Sequence, residues 1–134
     1  MYRVTRHITF CYGHRLLNYS GKCRHLHGHN GRVEIVLASR TLDARGMVTD
    51  FHVIKEKIQT WIDKNFDHRF LLRGDDPILP TLRRFKEPVY LFKENPTAEV
   101  IAREIYLQAQ KKGLPVERVT LWETDKSSAT YGEA

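Results

Sequence analysis

Cysteine is scarce in this chain: Cys11 and Cys23 are the only two among 134 residues. Their spacing allows one disulfide, but a chain of this length buries an ordinary core without a covalent staple. Both therefore read as free thiols in a reducing compartment. Long apolar runs are missing as well. No stretch approaches the roughly 20 residues that a membrane helix needs, and Met1-Tyr2-Arg3-Val4-Thr5-Arg6-His7 lacks the apolar centre of a secretory signal. The expected location is cytoplasmic, away from membranes. Repeats and low-complexity tracts are also absent, so residues 1–134 are expected to form a single domain. The balance is basic, with 22 Lys and Arg against 16 Asp and Glu and a net charge of +6. These cations are scattered, in pairs no longer than Arg83-Arg84 and Lys111-Lys112, and match no recognised nucleic-acid motif. A field of this kind can steer a small polyanion as readily as it attracts nucleic acid; most of these cations read as a solvated surface, and no nucleic-acid partner is expected.

Histidine is abundant, and it is clustered. Four of the seven histidines fall between positions 14 and 29, around Cys23-Arg24-His25-Leu26-His27-Gly28-His29. Side chains two apart on a strand point the same way, so His27 and His29 can hold one metal ion between them. A third nitrogen from His14 or His25 would complete a half-shell; spacing alone does not choose between the two. Three neutral nitrogens and an open position are the pattern of a catalytic zinc. Cys23, flanked by Lys22 and Arg24, is placed where neighbouring cations and a metal would favour its thiolate. Most free cysteines are small buried hydrophobes, and that role falls to Cys11, between Phe10 and Tyr12.

The hydrophobic pattern predicts an α+β fold. Arg3 to Phe10 and Gly31 to Ser39 read as strands. Extending the alternation of Val33, Ile35 and Leu37 backwards puts His27 and His29 on the same inward face. Asp50 is the expected cap of a helix running to about Phe66 through Val53, Ile54, Ile58, Trp61 and Ile62. Residues 67–87 read as loop, and Glu87 to Lys93 as a short strand around Val89-Tyr90-Leu91-Phe92. Asn95-Pro96 is read as a helix start, and Gly113 as its stop. Val116 to Thr124 and Ala129 to Tyr131 complete the pattern. Two hairpins in an antiparallel four-stranded sheet, covered by two helices on one face, are expected. Glu123 then stands at the end of a strand. It either looks inward with Val119 and Leu121, needing a partner for its carboxylate, or lies in water. Asp67-His68 is either a helix-end pair at the surface or, if His68 reaches Cys23, a proton relay.

Taken together, His14, Cys23-x-x-x-His27-Gly28-His29, Asp67-His68, Pro96-Thr97-Ala98-Glu99 and Glu123-Thr124 resemble, in that order, the 6-pyruvoyl-tetrahydropterin synthase and 6-carboxy-tetrahydropterin synthase family. The resemblance runs from about Arg3 to Gly132. It implies a tunnelling fold whose sheets pool into a barrel, in hexamers of two stacked trimers with sites between subunits. It also implies Zn2+ on His14, His27 and His29, with His25 outside, and Cys23 as catalytic thiol with Asp67 and His68 as relay partners. Glu123 would anchor a pterin, with Thr97, Glu99 and Thr124 on the substrate side. The four-residue step from Cys23 to His27 resembles the bacterial 6-carboxy enzymes of queuosine biosynthesis, which act on 7,8-dihydroneopterin triphosphate. Two features depart from the pattern. Cys11-Tyr12-Gly13 replaces the usual small residues before the first ligand, so that Tyr12 narrows the metal pocket. The segment 69–94, carrying Arg69, Arg73, Arg83, Arg84 and Lys86, is longer than in the compact bacterial enzymes.

Overall fold

The structure is a computed structural model, and it describes residues 1–132. Two long strands dominate it, β1 (Tyr2–His14) and β2 (His27–Ser39), paired antiparallel without a break from Tyr2 opposite Ser39 to His14 opposite His27. A 3₁₀ turn (Lys22–Arg24) lies in the connection between them. After β2 the chain forms α1 (Phe51–Ile54), a π-helical turn (Lys55–Gln59) and α2 (Thr60–Asn65). β3 (Arg69–Arg73), α3 (Leu79–Arg84) and β4 (Val89–Phe92) follow, then α4 (Ala98–Lys111), β5 (Val116–Trp122) and β6 (Ser128–Gly132). The sheet has the order β4-β3-β1-β2-β5-β6.

Period-2 alternation sorts β1 and β2 into two faces. Ile8, Phe10, Tyr12 and His14 from β1, and Val33, Ile35 and Leu37 from β2, are buried. Thr9, Cys11, Asn30 and Arg32 on the other side are exposed. The helices cover the buried face. Ile54, Ile58, Ile62 and Phe66 recur every four residues and are all fully buried. In a regular α-helix a four-residue step drifts about 40° around the axis; the wider π turn takes up this drift and keeps all four side chains on the core. Ile101, Ala102, Ile105 and Ala109 of α4 join the same cluster, together with Val119 and Leu121 of β5.

The caps follow the sequence with one shift. Asp50 accepts from the His52 N–H at 2.9 Å, as its position before the helix suggests. At α4 the cap is Thr97, accepting from the Val100 N–H at 3.2 Å, two residues later than Asn95. Gly113 ends the helix in the left-handed region (φ 81°), where glycine has no steric penalty.

The sheet corrects the expected architecture. It has six strands rather than four and is mixed, because β3 pairs parallel with β1 at Tyr12–His14 and β4 pairs parallel with β3. Arg69–Arg73 was hidden in a stretch read as loop because its five residues begin and end with arginine and lack an alternating pattern. The three-residue pairing with β1 and the four-residue pairing with β4 make it a strand. Asp76 fixes this segment onto the end of β1: fully buried at its carboxylate, it takes both Arg15 Nε (2.8 Å) and a second, very short bond from Arg15 Nη2. Among the described residues, no helix is long and apolar enough to cross a membrane.

Candidate metal centre

The β1–β2 register builds the site. His14 lies opposite His27, and Tyr12 lies opposite His29, with all four side chains on the inward face. The three imidazole centroids are 4.5, 5.2 and 5.1 Å apart. One ligand atom from each ring lies within 4.8 Å of the others. Two rings are pinned from behind by backbone carbonyls: His14 Nδ1 is 2.8 Å from the Pro96 oxygen, and His27 Nδ1 is 2.7 Å from the His25 oxygen. Each Nδ1 must carry the hydrogen that its carbonyl accepts, which leaves the Nε2 lone pair for the centre of the cluster. The Nε2 atoms of all three rings are buried without a hydrogen-bond partner. Burial pushes the His14 imidazole pKa down, against the opposing pull of the Pro96 carbonyl and Glu123, and so favours the neutral ligand form.

Three converging and otherwise unsatisfied nitrogens suit a borderline divalent cation. His25 is not part of the cluster; its side chain is exposed and its carbonyl orients His27. Thus the choice that spacing left open falls to His14.

Glu123 looks inward. β5 ends at Trp122, and the next residue turns its carboxylate across the histidines. Its Oε1 is 3.7 Å from His14 Nε2 and its Oε2 is 3.8 Å from His29 Nε2. The Tyr12 hydroxyl donates to Oε1 at 2.9 Å. Burial, reinforced by this carboxylate, pushes the Tyr12 phenol far above its ordinary pKa, so it remains a donor.

The other sequence-derived residues are spread around this centre. Asp67 and His68 form a pair, Oδ2 to Nδ1 at 2.9 Å. They dock on the edge of β1 beside Cys11: the Cys11 N–H donates to Asp67 Oδ1 (2.9 Å) and the His68 N–H donates to the Cys11 carbonyl (2.6 Å). His68 has a left-handed backbone (φ 58°), an uncommon conformation for a residue with a side chain. An open cleft of about 410 Å³ brings His68 and His27 into one lining, with Cys11, Leu26 and Phe70. Cys23 is outside both that lining and the histidine cluster, half-buried in the 3₁₀ turn, where its carbonyl accepts from the Leu16 N–H. Thr97 caps α4, with Glu99 exposed in the first turn, and the Thr124 hydroxyl accepts from the Lys126 N–H.

The residues that sequence reasoning missed are partners rather than ligands. The Pro96 and His25 carbonyls act through the main chain and leave no side-chain signal. The Asn95 amide fastens the neighbourhood of Pro96 to the segment after β1 by exchanging two 2.8 Å bonds with the Leu17 backbone.

Comparison with known proteins identifies relatives of this chain. Residues 3–134 match the model of the family described as 6-pyruvoyl tetrahydropterin synthase. A 6-carboxy-5,6,7,8-tetrahydropterin synthase of Rickettsia bellii is 43% identical over 104 residues, covering 76% of this chain and 75% of the relative. The protein of the same name from Synechocystis is 32% identical over 98% of this chain and 93% of its own length. Among solved structures, an uncharacterized protein from Wolinella succinogenes superposes with a TM-score of 0.80 at 30% identity, covering 99% of this chain and 98% of that one. The 6-pyruvoyl tetrahydropterin synthase of Caenorhabditis elegans shares the fold with a TM-score of 0.74 at 24% identity, over 99% of this chain and 96% of that one. With the match spanning all but the first two residues, this chain belongs to the 6-pyruvoyl tetrahydropterin synthase family.

Proposed function

We propose that the protein is a 6-carboxy-5,6,7,8-tetrahydropterin synthase that converts 7,8-dihydroneopterin triphosphate, with water, to 6-carboxy-tetrahydropterin, acetaldehyde and triphosphate. The observation that carries this reading is the set of three buried, unsatisfied Nε2 atoms beside an inward carboxylate. The relatives named 6-carboxy-5,6,7,8-tetrahydropterin synthase support the product assigned.

His14, His27 and His29 would hold Zn2+, which when bound supplies Lewis acidity toward substrate side-chain hydroxyls. Cys23, as thiolate, moves a proton on that side chain. Asp67 holds Nδ1 of His68, so the free Nε2 is the end available for proton transfer. One oxygen of Glu123 is engaged by Tyr12 and the other is left for pterin N–H donors. Thr97, Glu99 and Thr124 lie on the substrate side.

A hexamer of two stacked trimers fits this division of labour. Cys23 is not in the cleft that contains His68, so a Cys23 contributed by a second copy would complete the dyad. The strand pattern supports such pooling. β3 pairs with β1 only at Tyr12–His14 and the Asp67–His68 pair takes the backbone of Cys11, leaving the β1 edge before Cys11 without a strand partner among the described residues, and β6 forms an end of the sheet.

Incubating the zinc-loaded protein with 7,8-dihydroneopterin triphosphate, with mass spectrometry of the pterin and an acetaldehyde assay, tests the proposal. A 6-carboxy product with acetaldehyde is expected. A 6-pyruvoyl product without acetaldehyde would move the chain to the other activity of the family, and unchanged substrate would remove the enzymatic reading altogether.

A further inference from the structure

Tyr12 is the largest fully buried side chain on the inward face of β1, two residues before the first histidine of the cluster. It touches three members of the centre at once. Its ring packs edge-on against His14 at 5.2 Å between centroids and lies tilted against His29 at 5.6 Å. Its hydroxyl binds Glu123 Oε1. The ring has room because position 31 lacks a side chain: a Cβ on Gly31 would sit 3.0 Å from Tyr12 Cε1 and 3.2 Å from Leu121 Cδ1. Glu123 lies just past the end of its strand, its N–H still donating to the Ser127 carbonyl (3.2 Å), so the backbone is held and the direction of the side chain is what remains to be set. Apart from the Tyr12 hydroxyl, the groups facing its carboxylate are the two histidine nitrogens at 3.7 and 3.8 Å.

We propose that Tyr12 is a positioning residue that aims the Glu123 carboxylate at the metal centre, Gly31 providing the space in which its ring does so. The inference rests on the metal reading of His14, His27 and His29 and adds a second layer to it. A carboxylate held close to the ligand nitrogens adds negative charge beside the cation; a carboxylate free to swing into solvent adds much less. The Tyr12 hydroxyl therefore contributes to metal affinity only through Glu123.

The test is zinc affinity, measured by competition with a chromophoric chelator on the full-length protein. The variants are Tyr12→Phe, Glu123→Gln, the double variant, and His27→Ala as control. Phenylalanine keeps the ring over Gly31 and removes only the hydroxyl. Loss of an outer-shell partner typically weakens metal binding about 10–100-fold, so Glu123→Gln is expected in that range and Tyr12→Phe near its lower end, about tenfold. In the Glu123→Gln background Tyr12→Phe should add nothing, whereas a purely structural role for the ring would give no loss in either background. If Tyr12→Phe binds zinc like the parent, or if the two losses multiply in the double variant, the positioning role is overturned. If the parent binds zinc no better than His27→Ala, the metal reading itself fails and takes the proposal with it.

Discussion

The two halves of the centre are built in opposite ways. The histidine cluster sits on paired strands, with two rings pinned by carbonyls and side-chain exposures of 3% at His14 and 18% at His29. The Asp67–His68 pair sits on a loop at the edge of β1, with the imidazole 78% exposed and its backbone in the left-handed region. A metal site needs several nitrogens fixed to fractions of an ångström, and a strand register supplies that within one chain. A proton relay needs a group that reaches a thiol, and in this chain the dyad points into open space. The three histidines meet within one copy, whereas the relay proposed for Asp67 and His68 calls for a thiol from another.

The largest effect should come from breaking the rigid half. His27→Ala is expected to lose the metal and all measurable turnover while keeping the fold, with elemental analysis and circular dichroism as the checks. Cys23→Ala attacks the other half. It should retain zinc and lose kcat by about 10²–10⁴-fold, the usual contribution of general acid–base catalysis. Mixing Cys23→Ala and His68→Ala subunits sharpens the contrast, since reassembled hybrids should regain part of the activity that neither parent has. No regain would mean that each chain closes its own site.

A smaller effect is expected at the strut that joins segment 69–94 to the metal strand. Burial alone would raise the Asp76 carboxyl, but bonds from the Arg15 guanidinium and the Ile78 N–H outweigh it and hold the group below the usual carboxylate range. A depressed carboxyl contributes stability that is fully present above its ordinary pKa of about 4 and is lost as pH falls through the folded value. Asp76→Asn should therefore cost roughly 1.5–3 kcal/mol near neutrality by urea denaturation, with the deficit shrinking only on the acid side. The smallest effect is expected for Thr124→Ala, which removes one turn hydrogen bond and should cost about 1 kcal/mol or less.

Legibility in the sequence follows the same division. Alternation along Val33, Ile35 and Leu37 placed His27 and His29 inward because one rule, period 2, governs the whole strand. The helix caps at Asp50 and the stop at Gly113 were legible because they are local. β3 was not, because its strand character comes from pairing with Tyr12–His14 and Val89–Phe92, contacts distant in sequence. Glu123 remained undecided because its direction depends on Tyr12, 111 residues away. The relay of His68 with Cys23 is what the family resemblance implies; within one chain His68 lies beside Cys11, and the relay is proposed between copies. No intrachain pattern encodes a neighbour supplied by another copy.

The most direct measurement is a crystal structure of the zinc-soaked protein with anomalous data at the zinc edge. One peak per chain is expected, within bonding distance of the Nε2 atoms of His14, His27 and His29. A chain without that peak, or with its zinc bound elsewhere, would contradict the assignment of this cluster as the metal centre.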